Sequence, residues 1–371
     1  MKKFLSLLLI FVMVFAFAAC GSTGGEEGGD AVVGYDDIPD TVESEDGTYQ
    51  IAMVTDVGNL KDGSFNESTW NGCKKYASDN GKTYKYYAPA NGDQATDADR
   101  IKAMSDACAA GAEVLVTPGF LQATAIAEVA AQYPEVQFVF IDGWDMQMPN
   151  VVGVSYQEEQ AGYLAGYAAV MEGFTKLGYS GGGGGTNPAC LNYGYGYAQG
   201  ASDAAEVKGA EIEMRYSFEY GASFQDSPEL QTMLAGWYEA GTEVIFMAGG
   251  NMFYSGVAAA EANEQYIIGV DVDQSTESDT VITSGMKGLD TSVIKTLTDF
   301  YEGGALITGA SVLGAADDAV GLPVATWSLE NWSVEEYEEL FAQIKAGEVE
   351  IARTESADPA TFELPHVTFV K

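Results

Sequence analysis

The chain contains few basic residues. Lys and Arg number 17 against 55 Asp and Glu in 371 residues, His366 is the only histidine, and the formal net charge is −38. A protein with this charge repels nucleic acid, phosphorylated ligands and anionic membranes. We therefore expect no nucleic-acid partner, and we expect a ligand that is a neutral or cationic small molecule.

The apolar run at the N-terminus is too short to cross a membrane. Phe4–Phe17 follows two lysines and precedes Ala18-Ala19-Cys20-Gly21. This order is typical of a bacterial lipoprotein signal, although Phe17 stands where Leu is usual. We predict that residues 1–19 are removed and that lipidated Cys20 anchors the protein to the membrane. The alternative is ordinary signal cleavage near Ala19, which leaves Cys20 a free thiol.

Cysteine is rare as well. Apart from Cys20 the chain has Cys73, Cys108 and Cys190, an odd number with no CxxC spacing. This set supports neither a disulfide framework nor a zinc site. The acidic residues match no calcium-loop pattern, so the sequence predicts no metal and no cofactor.

A chain of 371 residues is too long for one ordinary core, so two lobes are expected. Residues 20–47 are rich in Gly, Glu and Asp, which predicts a flexible acidic tether. From Tyr49 onward, two successive series of strands alternate with helices. This order predicts an α/β fold with largely parallel sheets.

The stretch Ile51–Asn66 predicts a buried strand, a long loop and the start of a helix. Ser64 and Glu67 fit a capping box at that helix start. In an open α/β sheet, ligands bind at the carboxyl ends of strands and at the helix N-termini that follow them. The stretch therefore predicts one wall of a binding site.

Candidate site residues end or follow three predicted strands: Asp56, Phe65 and Asn66, then Asp142, then Asp271. Polar groups of this kind orient a ligand, and an aromatic ring offers a stacking face. The alternative interpretation is local, with Asp56 as a turn residue and Phe65 as a packing residue. Lys287, near another strand end, either meets a ligand oxygen or forms a solvated salt bridge.

Several motifs suggest enzymes, but each is incomplete. Gly178–Gly182 matches the GxSxG pattern of serine hydrolases, with Ser180 as nucleophile and His366 as base. The glycine run Gly181–Gly185 predicts a loop where that motif needs a helix. The P-loop and dinucleotide-binding patterns each lack a required glycine. We therefore expect no enzyme.

Seven segments carry a resemblance to one known family: VTDVGNLKDGSFN at Val54–Asn66, VTPGF at Val116–Phe120, FVFIDG at Phe138–Gly143, EEQAGYLAGYAA at Glu158–Ala169, AGG at Ala248–Gly250, IGVDVDQ at Ile268–Gln274 and ITSGMKG at Ile282–Gly288. Together they resemble the basic membrane protein family of ABC-transporter substrate-binding lipoproteins, whose best-known members are purine nucleoside receptors. The resemblance covers about Tyr49–Lys371.

The resemblance implies a type I periplasmic-binding-protein fold, with two Rossmann-like lobes, three crossovers and a ligand cleft between the lobes. The N-terminal lobe is expected over residues 48–155 plus about 280–311. The C-terminal lobe is expected over residues 156–279 plus about 312–371.

The resemblance also implies roles for individual residues. Phe65 is expected to stack on the base, Asp142 to hydrogen-bond the base nitrogens, and Asp56 and Asn66 to bind from the same lobe. The residues expected near the ribose are Asp271, Gly249, Gly250 and Lys287. The second stacking residue is expected to be Phe246, with Phe253 as its competitor.

The chain departs from the family pattern near the expected cleft. Asn251-Met252-Phe253 follows Ala248-Gly249-Gly250 where the family has a TG pair, and both Gly181–Gly185 and Trp144 are unusual. Trp144 can replace or add to a stacking face. Because Asp142 is retained, a purine nucleoside remains the expected ligand.

The expected function is that of a monomeric, membrane-anchored extracytoplasmic receptor. It closes around a nucleoside by a hinge motion and delivers it to an ABC permease without doing chemistry. A sensor that signals from the same cleft to a membrane partner is the second hypothesis, and a serine hydrolase built on Ser180 and His366 is the third.

Overall fold

The computed structural model describes residues 34–57 and 59–371. The predicted signal peptide, Cys20 and the first part of the predicted tether lie outside the described residues. Residues from Tyr35 to Lys371 belong to one unit. Within the described ranges, no helix combines the length and the apolar character that a membrane crossing requires.

The strands of the described chain are, in order, β1 (Ile51–Val54), β2 (Tyr84–Tyr87), β3 (Val114–Pro118), β4 (Gln137–Ile141), β5 (Val151–Tyr156), β6 (Lys176–Gly181), β7 (Ile212–Ser217), β8 (Val244–Ala248), β9 (Tyr266–Asp271), β10 (Val281–Lys287), β11 (Gly309–Leu313), β12 (Val320–Gly321) and β13 (Val367–Val370). The α-helices are α1 (Phe65–Asp79), α2 (Asp97–Ala109), α3 (Ala123–Gln132), α4 (Glu158–Glu172), α5 (Pro188–Lys208), α6 (Pro228–Glu239), α7 (Met252–Asn263), α8 (Leu289–Gly303) and α9 (Val334–Lys345).

These strands form two sheets, one in each lobe. The first has the order β11-β5-β4-β3-β1-β2, and all its pairs are parallel. The second has the order β12-β10-β9-β8-β6-β7-β13, and only its β10–β12 pair is antiparallel. β1, β3, β4 and β8 are buried along their whole length, as expected for parallel strands covered on both faces. The predicted α/β class is confirmed.

The chain passes between the two sheets after β5, after β10 and after β11, so the expected three crossovers are present. The expected lobe boundary near residue 280 is wrong. Most of β10 is buried, and it pairs with β9 inside the second sheet. The chain therefore leaves the second lobe at Gly288, after which α8 packs against α1 of the first lobe.

The last part of the predicted tether, which the structure describes from residue 34 onward, packs against the folded chain. Tyr35–Asp37 forms a 3₁₀ turn, and Ile38 is buried. The buried Lys74 ammonium donates to the Ile38 carbonyl at 3.3 Å and to Asp40 at 3.0 Å. A buried ammonium needs such partners, so this segment is held on α1, and the prediction of a flexible tether up to Gly47 is wrong for its last part.

Helix α5 begins earlier than its sequence pattern predicts. The sequence indicates a helix over Tyr195–Ala205. The helix instead begins at Pro188, since the Asn187 side chain accepts a hydrogen bond from the Cys190 amide and proline is favourable in the first turn.

The glycines of α5 face those of α4. A Cβ added to any of four glycines would lie 1.9 to 2.2 Å from a backbone oxygen of the opposite helix: Gly162, Gly166, Gly196 and Gly200. Only residues without a side chain allow two helix backbones to approach this closely. The small residues of both helices therefore hold the core of the second lobe together.

We expect Gly200→Ala to destabilise the protein, because the added methyl would lie 1.9 Å from the Tyr163 carbonyl oxygen. Overpacking of this kind costs about 1–3 kcal/mol. Gly236→Ala is the matched control, since a Cβ on this exposed residue of α6 meets no described atom within 4 Å. It is expected to raise the free energy of unfolding by up to about 1 kcal/mol. Denaturant unfolding measures both changes, and equal stabilities for the two variants would contradict this packing.

Candidate ligand-binding site

A cavity lies between the carboxyl ends of the two sheets. It contains about 600 Å³ of space not filled by protein atoms, a figure that includes open solvent. Eight residues expected from the sequence line it: Asp56, Phe65, Asn66 and Asp142 from the first lobe, and Gly249, Gly250, Asp271 and Lys287 from the second. The structure therefore brings together these eight residues, which end or follow strands of the two sheets.

Three expected aromatic residues lie elsewhere. Phe246 is fully buried, and its ring packs against Tyr193 and Tyr197 of α5 in the core of the second lobe. Phe253 is buried between α6 and α7. Trp144 is 50% exposed and does not line the cavity. The expectation that Phe246 or Trp144 stacks on a ligand is therefore wrong in this geometry.

Two of the described aromatic residues line the cavity from the second lobe, Tyr193 of α5 and Phe224, and the sequence reasoning missed both. Phe224 lies in the loop between β7 and α6, so it also follows a strand end, but no residue pattern marks it. Asn187, Cys190 and Asn251 are further lining residues that were not predicted.

The start of α1 is held by Asp62 and not by the predicted capping box. The Asp62 carboxylate accepts from the amides of Ser64 at 2.9 Å, Asn66 at 2.9 Å and Glu67 at 3.1 Å. This frees the Ser64 hydroxyl, which donates to Asp271 of the other lobe at 2.6 Å. Burial raises the pKa of Asp62 to about 6, against the opposing effect of these hydrogen bonds.

The side-chain amide of Asn66 forms hydrogen bonds with other groups of the protein. Its Oδ1 accepts from the Asp56 amide at 3.0 Å, and its Nδ2 donates to the Val57 carbonyl at 3.2 Å and to Asp62 at 3.0 Å. The amide therefore orders the loop after β1, and its contribution to the site is to fix Asp56.

Asp56 offers an acceptor to the cavity. Its side chain fits because Gly119, at the end of β3, has no Cβ; one added there would lie 2.0 Å from Asp56 Oδ2. Among the described residues, Asp56 Oδ1 is buried without a hydrogen-bond partner. Burial raises the pKa of Asp56 to about 7. A buried carboxylate oxygen in this state favours a donor on a ligand.

Lys287 holds the acidic side chains together. Its Nζ lies 3.0 and 2.9 Å from the two carboxylate oxygens of Asp142, 3.7 Å from Asp271 and 3.8 Å from Glu158. Burial opposes its charge, but the three carboxylates raise the pKa of Lys287 above its usual range. The ammonium also lies 4.9 Å from the centre of the Phe65 ring. The interpretation of Lys287 as a solvated salt bridge is wrong.

Three residues that line the cavity have a left-handed backbone conformation: Asp142 with φ 56°, Phe224 with φ 59° and Asp271 with φ 67°. Side chains other than glycine rarely adopt this conformation, and it costs of order 1–3 kcal/mol at a residue. The surrounding structure must therefore stabilise this conformation at all three residues, which line the same cavity.

Polar contacts join the two lobes across the cleft. Besides the bond from Ser64 to Asp271 and the ion pair of Lys287 with Asp142, the Gln274 amide donates to the Gly63 carbonyl at 3.1 Å. The lobes are therefore closed upon each other in this structure.

The geometry contradicts a serine hydrolase. Ser180 is fully buried in β6, and its hydroxyl has no hydrogen-bond partner in the described chain. His366 precedes β13 at the edge of the second sheet, with Nδ1 3.3 Å from Glu211. In the described ranges, no group of three or more His, Cys, Asp or Glu side chains is placed to hold a metal ion.

Comparison with known proteins agrees with this architecture. The family model described as "Bmp: ABC transporter substrate-binding protein PnrA-like" matches residues 49–355. A solute-binding protein of an ABC transporter system from Aeropyrum pernix K1 superposes with a TM-score of 0.67 at 22% sequence identity, covering 82% of this chain and 94% of that one. The predicted periplasmic-binding-protein fold is confirmed.

Two sequence relatives span most of the chain. The CD4+ T-cell-stimulating antigen of Listeria monocytogenes is 26% identical over 372 residues, covering 94% of this chain and 97% of that protein. The ABC transporter nucleoside-binding protein BmpA of Lactococcus lactis subsp. cremoris is 27% identical over 308 residues, covering 76% and 83%. The chain therefore belongs to the Bmp family of PnrA-like ABC transporter substrate-binding proteins.

Proposed function

We propose that the protein binds a purine nucleoside in the cavity between its lobes and delivers it to an ABC permease. As an ABC transporter substrate-binding protein, it acts outside the cytoplasm on a small-molecule ligand with a membrane permease as partner. The nucleoside, the lipid anchor at Cys20, the monomeric state and the absence of catalysis are parts of the proposal.

The observation that carries the proposal is the pairing of aromatic and acidic side chains around one cavity. Phe65 lines it from the first lobe and Phe224 from the second. Aromatic side chains on opposite lobes favour a flat aromatic ligand, because base–aromatic stacking stabilises a complex by about 1–3 kcal/mol per base. Phe224 takes the role that the sequence assigned to Phe246.

The acidic side chains suit the hydrogen-bonding edge of a nucleoside. Asp56, Asp142 and Asp271 present carboxylates that accept from base N–H groups and ribose hydroxyls, and such charge-assisted bonds are the stronger kind. With Asp62, the described residues that line the cavity include four carboxylates and one cation, Lys287. This excess of negative charge disfavours phosphate, so a nucleoside is favoured over a nucleotide.

The mechanism is closure of the two lobes around the ligand. The hydrogen bonds and the ion pair that cross the cleft are polar and can be exchanged for water when the lobes separate. Two apolar clusters each lie within one lobe, and a third contains buried residues of both lobes. A ligand that contacts both lobes stabilises the closed state by its differential affinity for that state.

The direct test is calorimetric titration of the mature domain, refolded to strip bound ligand, with adenosine, guanosine, inosine, cytidine, uridine and the free bases. We expect purine nucleosides to bind most tightly. Phe65→Ala should weaken their binding about 5- to 160-fold, the equivalent of about 1–3 kcal/mol of stacking. Trp144→Ala, which removes an exposed aromatic residue outside the cavity, should bind like the wild type.

If none of these compounds binds, the nucleoside assignment is wrong, whereas the fold and the family remain. If Trp144→Ala weakens binding as much as Phe65→Ala does, the cavity is not the binding site.

Binding should depend on pH through Asp56. The proposal has the ionised carboxylate accept a hydrogen bond from the ligand, and burial raises the pKa of this group to about 7. Binding must then expel a proton at low pH, so affinity should fall as the pH drops from 8 to 5.5 and level off above 8. Asp56→Asn should remove this component of the profile. Titrations across that range measure it, and an unchanged profile in the variant would exclude Asp56 as the titrating group.

The hydrogen bond between Ser64 and Asp271 should stabilise the closed state without touching the ligand, because Ser64 does not line the cavity. Ser64→Ala should weaken binding about 2- to 12-fold, matching a net hydrogen-bond contribution of about 0.5–1.5 kcal/mol. The loss should appear as faster dissociation in stopped-flow measurements. Ser311→Ala, on the exposed part of β11, is the control, and equal dissociation rates for both variants would contradict the role of Ser64.

A further inference from the structure

The glycine run Gly181–Gly185 has no part in the proposed function as described so far. Its first residue ends β6, Gly182 follows, and Gly183–Gly185 forms a 3₁₀ turn before α5. The run therefore lies at a carboxyl strand end of the second lobe, beside the cavity, and no residue of it lines the cavity.

The ring of Phe224 lies against the bare backbone of this run. A Cβ added to Gly182 would lie 2.3 Å from Phe224 Cε1 and 2.4 Å from Cδ1, and one added to Gly183 would lie 3.2 Å from Cζ. Real Cβ contacts are not shorter than 3.0 Å, so the ring can occupy this position only because residue 182 has no side chain.

Backbone hydrogen bonds fix the two segments to each other. The Gly183 amide donates to the Gly221 carbonyl at 2.9 Å, and the Phe224 amide donates to the same carbonyl at 3.1 Å. Phe224 also has the left-handed backbone, with φ 59°. The backbone of Phe224 is therefore held in place, and its ring is the part that can move.

The ring lies between the glycine backbone and the cavity, because Phe224 lines the cavity whereas Gly182, which contacts its ring, does not. A methyl group at position 182 would push the ring away from the backbone. Phe224 and Phe65 line the cavity from opposite lobes, so we expect a displaced Phe224 ring to enter the cavity.

We propose that Gly182, together with Gly183, is a positioning and specificity-determining residue: the side-chain-free backbone holds the Phe224 ring back and so sets the width of the slot between Phe224 and Phe65. This inference rests on the proposed function, in which a flat base occupies that slot. Gly182 and Gly183 thereby fix how thick a ligand ring the closed cleft accepts.

The test is the crystal structure of Gly182→Ala together with titration of adenosine, guanosine and inosine. We expect the Phe224 ring to move towards Phe65 and the affinity to fall at least 10-fold. Gly181→Ala is the matched control in the same run: its Cβ would lie 2.4 Å from the ring of Phe218, which does not line the cavity. This control should lower the stability of the protein while leaving its affinity for the nucleosides within about twofold of the wild type.

A double-mutant cycle with Phe224→Ala keeps the test decisive if Gly182→Ala alone fails to fold. Once the ring is absent, Gly182→Ala should fold and bind like Phe224→Ala alone. A further loss of affinity in the double variant, or an equal loss in Gly182→Ala and Gly181→Ala, would overturn the inference, as would an unmoved ring with unchanged affinity. If the wild type binds none of the nucleosides, the proposed function fails, while the ring position in the variant crystals still decides the positioning role.

Discussion

The site depends on one buried cation. The Lys287 ammonium lies within 4 Å of carboxylates from Asp142, Asp271 and Glu158. Without it the two buried carboxylates and the partly buried Asp142 would repel one another. Breaking a buried ion pair by removing one partner costs about 3–5 kcal/mol. Lys287 directly precedes the crossover at Gly288, and Glu158 follows the crossover after β5. The same charges therefore organise the cavity and join it to the hinge segments.

This placement explains how a rigid fold supports a moving cleft. Within the second lobe, α4 and α5 approach so closely that their glycines contact the opposite backbone, and such packing does not loosen without cost. Polar contacts cross the cleft: Ser64 with Asp271, Gln274 with Gly63, and Lys287 with Asp142. Water can replace these bonds when the cleft opens, whereas one apolar cluster contains buried residues of both lobes.

The sequence predicts the part of the site that follows from strand ends. Asp56, Asp142 and Asp271 meet because parallel strands bring their carboxyl ends to one edge. The prediction that Phe246 lines the site was wrong because β8 is buried on both faces, so hydrophobicity does not show which face of the strand points to a ligand. Phe224 was missed because its position depends on a loop and on contacts with glycines distant in sequence. The capping box predicted at Ser64 was wrong because Asp62 accepts the hydrogen bonds of the helix-start amides instead. The lobe boundary near residue 280 was wrong because β10 belongs to the second sheet through its pairing with β9, which the residue pattern does not show.

The central claim is that one base is held between aromatic side chains of opposite lobes while carboxylates of both lobes bind its edges. The most direct measurement is a crystal structure of the mature domain with a bound purine nucleoside. The account predicts the base between Phe65 and Phe224, with its edge at Asp142 and the ribose hydroxyls at Asp271. A nucleoside bound outside this cavity, or one whose base contacts neither aromatic ring, would contradict it.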